Sequence, residues 1–442
     1  MRDIAMLFTW LVLIPIAFSR PYIGVLLWVW TVLFAPSFEV YSFMSAVPFN
    51  KIIAAVTIIV IFMFRGGRRI NFDTTLLLML LFLGHGLLSY SLAADNAAGA
   101  FVADKMWKIA LLCVFINMLI TDRLRLHALV WIVVISGGFH GVVEGLKFLA
   151  TAGSYHIGNV PSLGDNNYVA VGLLMLMPLS FYLWQHSTRD VTRYACLVTT
   201  LLTVFGVLAT YSRGGFVGLV AVGVTLVMTG RRKLRSLLFL ASLATLIVLV
   251  GPAQWFARVS SVETATADSS FMSRVFMWNM SYLIAKDHPL FGDGYYATQN
   301  RPIFHKYQSE ANAIGGHDAD MTLASHSIYF EALADQGFVG LALFIALLIA
   351  GFQNARVVMR FTKSRPDLRW IYDLAHMFRL SLIGFAVAGA SVSATYMEFY
   401  YVELSMLAIL ARFCRQFAAE TRDAENLDNV ARLSASPLAL RG

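Results

Sequence analysis

Charge is the first scarcity in this chain. Only 14% of its 442 residues are Asp, Glu, Lys or Arg, against 58% hydrophobic. A water-soluble domain has no use for that much apolar surface, so the soluble class is excluded. Cysteine is almost absent. Cys113, Cys196 and Cys414 lie in or at the ends of apolar segments, and none falls in the longest polar stretch. That argues against a disulfide framework. No internal repeat is visible, which weakens a transporter built from duplicated halves. Compact metal-ligand spacing is missing too. His305, His317, Asp318 and Asp320, taken with His326, match no metal motif. No metal and no cofactor are expected.

What is present is length without charge. Apolar, aromatic-rich runs long enough to cross a bilayer recur along the chain. The fold class is therefore all-α, a polytopic transmembrane helical bundle. Candidate spans are 4–18, 22–35, 50–64, 74–93, 105–120, 127–150, 166–186, 194–211, 214–229, 236–251, 327–352, 376–395 and 400–416. Ile4 to Phe18 lacks the basic flank and cleavage site of a signal peptide and reads as structure. Ser19-Arg20-Pro21 interrupts the first two segments. Counted as two spans, they place the N-terminus outside; taken as one broken crossing, the preferred reading, they give about 12 spans with both ends inside.

The net charge of +8 is not a nucleic-acid signature. Lys and Arg gather in alternate short loops: Arg65, Arg68 and Arg69; Arg123 and Arg125; Arg189 and Arg193; Arg231, Arg232, Lys233 and Arg235; Arg356 to Arg369. That is the positive-inside pattern. It directs 36–50, 94–104, 151–165, 212–214, 252–325 and 396–399 outward. The resulting division is an N-terminal bundle at 1–251, a large outer loop with short helices at 252–325, C-terminal spans at 326–416 and a disordered cytoplasmic tail at 417–442. Within the loop, Phe271 to Ala285 is apolar nearly all round and is expected to lie in or against the membrane interface.

Three residues stand out chemically. Arg213, in Tyr211-Ser212-Arg213-Gly214-Gly215, sits at the outer junction of two spans, with Ser212 positioned to cap the following helix. A guanidinium beside free helix amides is a good anion site; the blander alternative is a snorkelling interfacial Arg. Arg274 is the only cation on the first turns of the loop helix. Anionic headgroup binding is its ordinary explanation. His326 begins a long span, with Ser325 as expected cap. A helix N-terminus disfavours imidazolium, so a neutral ring there can accept a proton. A buried hydrogen-bonded histidine is the plainer alternative. Asn166, Asn167, Ser212 and Arg301 are accessory candidates on the same outer side. Glu398 and Glu403 have simple interfacial polarity as their ordinary explanation.

These segments resemble a known family. HSIYFEALADQGFVG fits the O-antigen ligase pattern of His, then Asn, Ser or Gln, nine residues, Gly, two residues and Gly, Thr or Tyr. YSRGGFVGL, SRVFMWNMSYLIAKDHPLFGDGYYA and GDNNYVAVGLLMLMPL resemble the arginine, loop and Asn-containing segments of the O-antigen ligase and polymerase superfamily. Val217 stands where the ligase arginine motif often has Leu. The resemblance implies transfer of a glycan from an undecaprenyl-diphosphate carrier to an acceptor hydroxyl, on the outer face of the bacterial inner membrane. It implies neither nucleotide sugar nor metal. The ligases use lipid A–core as acceptor, while relatives modify protein or extend polysaccharide. By motif, Arg213 and Arg274 would hold the donor diphosphate and His326 would carry catalysis. A transporter remains the competing class. It would place ionisable residues along a path through the bilayer, whereas polar residues here gather at the outer edge.

Overall fold

A computed structural model describes residues 2–63, 70–158, 164–230, 269–314 and 322–435, with positions 234, 237, 238, 241 and 245. The described residues are helical, with no strand. In chain order the helices are α1 (Arg2–Ser19), α2 (Pro21–Phe34), α3 (Phe49–Met63), α4 (Thr74–Leu92), α5 (Ala100–Leu119), α6 (Arg123–Ala150) and α7 (Asn166–His186). They continue as α8 (Asp190–Ala209), α9 (Arg213–Thr229), α10 (Ser269–Asp287), α11 (Arg301–Ile314), α12 (Ile328–Thr362), α13 (Arg369–Gly389) and α14 (Glu398–Ala435). Every expected span has its helix except 236–251, which lies almost wholly outside the described residues.

Seven helical segments are long and apolar enough to cross a membrane: α1, α4, α6, α7, α8, α12 and 366–389. The apolar helices α2, α3 and α9 are shorter. In α5 the charges Asp104, Lys105 and Lys108 occupy the first half. Asp73, Asp122 and Asp165 cap α4, α6 and α7 by accepting backbone N–H groups of Leu76, Arg125 and Tyr168. At the other end of α5, Arg412 donates to the carbonyls of Asn117 at 2.7 Å and Ile120 at 2.6 Å. Cationic capping of a helix C-terminus satisfies carbonyls that no N–H reaches. The core runs continuously through the bundle, and aromatic contacts such as Phe385 on Tyr400, 4.4 Å between ring centres, join α13 to α14.

The N-terminal helices depart from the single broken crossing. Arg20 has extended backbone, and Trp10 of α1 lies 6.2 Å from Trp30 of α2, ten residues on each side of the break. Asp3 accepts N–H groups from Ser42 at 3.0 Å and Met44 at 3.2 Å. The pair is a helical hairpin. The chain start therefore lies at the same end as 36–50, not opposite it. Pro21 favours this reversal because it cannot donate to the preceding turn.

The tail also differs. α14 continues as helix to Ala435, so the disordered segment expected from 417 does not begin there. Residues 436–442 lie outside the described ones.

The connection between α9 and α12 contains α10 and α11, which build a small core of their own. Phe276, Met277, Met280, Leu283 and Ile284 pack with Ile303, Phe304, Tyr307 and Ala334. The buried apolar residues of α10 thus find partners in protein, covered by α11 and the start of α12. Residues 252–268 and 315–321 lie outside the described residues.

The two sets of connections separate to opposite ends. Segments 36–51, 94–105, 151–158, 164–168, 209–213, 288–300 and 390–398 meet at one end through hydrogen bonds and shared cavities. The basic connections among the described residues meet at the other. There Arg123 lies over Trp370, Arg125 lies over Tyr22, and Arg369 and His186 share Asp373.

Candidate active site

The fixed glycines of the histidine segment are a joint. α12 breaks at Gly337, whose φ of 67° and ψ of −168° belong to a region that L side chains scarcely enter. A Cβ there would lie 2.6 Å from Pro289 O and 2.9 Å from Gly292 N. Gly292, at φ 64°, is equally hemmed in by the backbone of Asp335 and Gln336. Across this contact Phe338 N donates to Pro289 O at 2.9 Å, Asp293 N to Ala334 O at 3.1 Å and Gly294 N to Asp335 O at 3.2 Å. Ser89 of α4 donates to the carbonyls of Asp335 and Phe291. Pro289-Leu290-Phe291-Gly292-Asp293-Gly294 is thus the socket for the kink. Two motifs that look independent in sequence are one structural device, and it fixes the loop to the bundle.

His326 stands at the other end of that first short stretch of α12. It lies two residues before the helix, and its φ of 46° is left-handed. Ser327, not the expected Ser325, is the cap, accepting from Tyr329 N at 3.3 Å. Ser325 is buried instead. Its carbonyl accepts Trp278 Nε1 at 3.0 Å, and its hydroxyl lies 3.3 Å from those of Ser281 and Thr298. The backbone N–H of His326 donates to Ser393 Oγ at 2.9 Å. Glu331, one turn into α12, accepts Thr395 N at 2.8 Å, and Thr395 Oγ1 donates to Ile328 O at 2.7 Å. Trp278 stacks on Phe330 with ring centres 5.2 Å apart. Left-handed backbone at a non-glycine residue costs energy and persists only where surroundings over-determine it. Here α10 holds it from one side and the 390–397 turn from the other.

The imidazole itself is left open. Nδ1 is buried with no hydrogen-bond partner among the described residues. Burial, and then the charge of Arg274, lower the His326 pKa, while Asp165 opposes them. The ring is therefore neutral at pH 7 and has an acceptor to spare.

Arg274 and Asp165 are thus the charges that act on His326. Arg213 is the first residue of α9, and Ser212 caps that helix as expected, accepting Gly215 N at 3.0 Å. Gly214 packs so closely on Ser391 that a Cβ would collide with its hydroxyl. This brings the start of α9 against the turn that carries Ser393. Asn166 donates to Thr210 O at 2.8 Å and Asn167 to Asn166 Oδ1 at 3.2 Å, so they tie α7 to the Ser212 turn while Asp165 does the capping. Arg301 is not in this group. It is exposed at the first position of α11 and makes no hydrogen bond or ion pair among the described residues. His305 is exposed on α11, with Nδ1 3.4 Å from Gln308 Oε1. His317, Asp318 and Asp320 lie outside the described residues.

A cavity of about 380 Å³ opens beside this turn and runs between α2, α6 and α7. Tyr296, Ser393 and Glu398 give it a polar rim, and Val133, Val169 and Leu173 form part of its apolar wall. Glu398 accepts an ion pair from Lys105 at 3.1 Å and the Tyr168 hydroxyl at 3.3 Å. The sequence does not single out Ser393 or Tyr168, and it explains Glu398 by simple interfacial polarity. Nothing in their spacing marks them, because α5, α7 and α14 meet only in the fold. Glu403 is no interfacial residue either. It is fully buried and accepts Ser381 Oγ at 2.6 Å.

Residues 198–345 match the family described as O-antigen ligase, a segment that contains Ser212, Arg213, Arg274 and His326. Residues 1–188 match a family of unknown function. No curated protein matches the chain.

Proposed function

This chain belongs to the O-antigen ligase superfamily, and from that premise we propose that it joins a glycan from an undecaprenyl-diphosphate carrier to a hydroxyl of lipid A–core. The reaction would take place at the periplasmic face of the bacterial inner membrane, with the non-basic end of the bundle facing the periplasm. The observation that carries this reading is the half-buried, neutral His326 ring, whose Nδ1 is buried without a partner among the described residues and feels the charge of Arg274.

The acceptor oxygen attacks the anomeric carbon of the carrier-linked sugar. Its proton passes to His326. The bond from the anomeric carbon to the diphosphate oxygen breaks, and the electron pair leaves with the diphosphate. A single displacement inverts that carbon. Arg213 and Arg274 bind the diphosphate and stabilise its growing charge, helped by the free amides at the start of α9. A positioned general base contributes about 10²–10⁴-fold. The apolar wall of the 380 Å³ cavity suits the carrier's hydrocarbon chain.

Glycan analysis of a deletion strain tests the reading. Loss of long-chain lipopolysaccharide, restored by the wild-type gene and not by His326→Ala, is the expected result. Normal lipopolysaccharide together with loss of a glycan from protein, or of an extracellular polysaccharide, would replace lipid A–core as the acceptor.

A further inference from the structure

A second cavity, about 310 Å³, lies beside the first, and the Lys105–Glu398 ion pair lines both. Three lysines line it: Lys51 at the start of α3, and Lys105 and Lys108 on α5. The two carboxylates on its wall are already engaged. Asp104 pairs with Lys108 at 2.5 Å, and Glu398 with Lys105 at 3.1 Å. Lys51 makes no ion pair among the described residues and is exposed. Asn50 lines the same space with its Oδ1 buried and unpartnered. Turning that amide over would present Nδ2 there as a donor, since the two atoms are interchangeable. Lysines at this end of the bundle run against the positive-inside bias, so a membrane protein does not gain them by default.

We propose that this cavity is a phosphate subsite for the acceptor, taking a phosphomonoester of an anionic glycolipid on Lys51, Lys105 and Lys108. The inference rests on the ligase reading above. The donor diphosphate is assigned to the arginines around His326, so a second anion site one cavity away belongs to the second substrate. Lysine suits it. A compact ammonium on a flexible stem binds a phosphomonoester without the planar geometry that arginine imposes. Exposed Phe38 and Phe101 flank the cavity and give the lipid an apolar contact. When the phosphate engages Lys105, Glu398 loses part of its ion pair, which couples acceptor binding to the rim of the donor cavity.

The test uses the full-length protein in phosphatidylcholine nanodiscs, with lipid A–core either phosphorylated or enzymatically dephosphorylated. Binding is measured without donor and transfer with it. Dephosphorylation should weaken wild-type binding about tenfold or more, as expected for lost charge-assisted hydrogen bonds. Lys51→Gln, at an exposed position that does not threaten folding, should weaken the phosphorylated acceptor severalfold and leave the dephosphorylated one unchanged. Lys51→Gln/Lys108→Gln should deepen the same selective loss and raise the acceptor KM without changing kcat. Equal effects on both acceptors, or none, overturn the subsite. So does competition by phosphatidylglycerol as strong as that by the glycolipid, which would make this a general headgroup site. Wild-type transfer that ignores the phosphates removes the subsite and leaves the ligase reading. Selective binding without any transfer does the reverse.

Discussion

Gly337→Ala should uncouple the α10–α11 segment from the bundle without unfolding the bundle. The wild-type backbone, φ 67° and ψ −168°, costs an L residue about 1–3 kcal/mol. The added methyl would meet Pro289 O at 2.6 Å and His288 O at 2.9 Å, and both are backbone atoms that cannot swing aside. Relieving the clash opens the joint and endangers three hydrogen bonds: Phe338 N to Pro289 O, Asp293 N to Ala334 O and Gly294 N to Asp335 O. Each is worth about 0.5–1.5 kcal/mol. Strain and lost bonds together come to roughly 3–7 kcal/mol, concentrated at one contact. Tenfold in population follows each 1.4 kcal/mol or so, and α10 carries Arg274, so transfer should fall by about 100-fold or more. Amide hydrogen exchange is the direct assay. Exchange should rise across 288–300 and 328–336 and stay unchanged in α7, α8 and α13. A variant with wild-type protection at 288–300 and normal transfer would refute the joint.

His326→Ala should give an inserted, stable protein that binds donor and transfers at least ~100-fold more slowly; a thermal-stability loss that tracks the activity loss would mark a packing role instead. Because burial and then Arg274 lower the His326 pKa below the usual ~6.5, the neutral base persists at pH 6.5 and transfer should fall only in more acidic buffer. The same shift has a stability consequence: its contribution is fully present above ~6.5 and is lost as pH falls from there through the folded pKa, since the unfolded chain takes the proton first. A pH profile of transfer with its midpoint above 7 would contradict the environment of the ring. Arg213→Lys and Arg274→Lys should fail nearly as badly as the Ala variants, because lysine lacks the planar fork; full activity in both Lys variants would indicate nonspecific charge. Reporters fused ahead of Arg2 and near Asn312 should report the same side of the membrane, and opposite sides would disprove the N-terminal hairpin.

Much of the helical layout is legible in the sequence. Hydropathy and span length act locally, so α4, α6 and α7 appear close to where the apolar runs place them. The alternation of basic loops likewise anticipates which connections gather at each end. The Ser212 cap follows from its own neighbours. The tertiary structure decides everything that depends on which helices meet. Pro21 marks a break, but only Trp10 against Trp30 shows that the chain reverses there. Phe271 to Ala285 is apolar, but hydropathy does not distinguish lipid from α11 as its partner. The glycines of the histidine and Pro-Leu-Phe-Gly segments are visible as a pattern, yet their purpose lies in backbone approaching backbone across some 45 residues. Nothing near His326 in sequence announces Ser393, and nothing near Lys105 announces Glu398. Local hydrophobicity and capping chemistry are written in neighbouring residues. A cleft between helices is made from contacts at long sequence separation, and those exist only once the helices have packed.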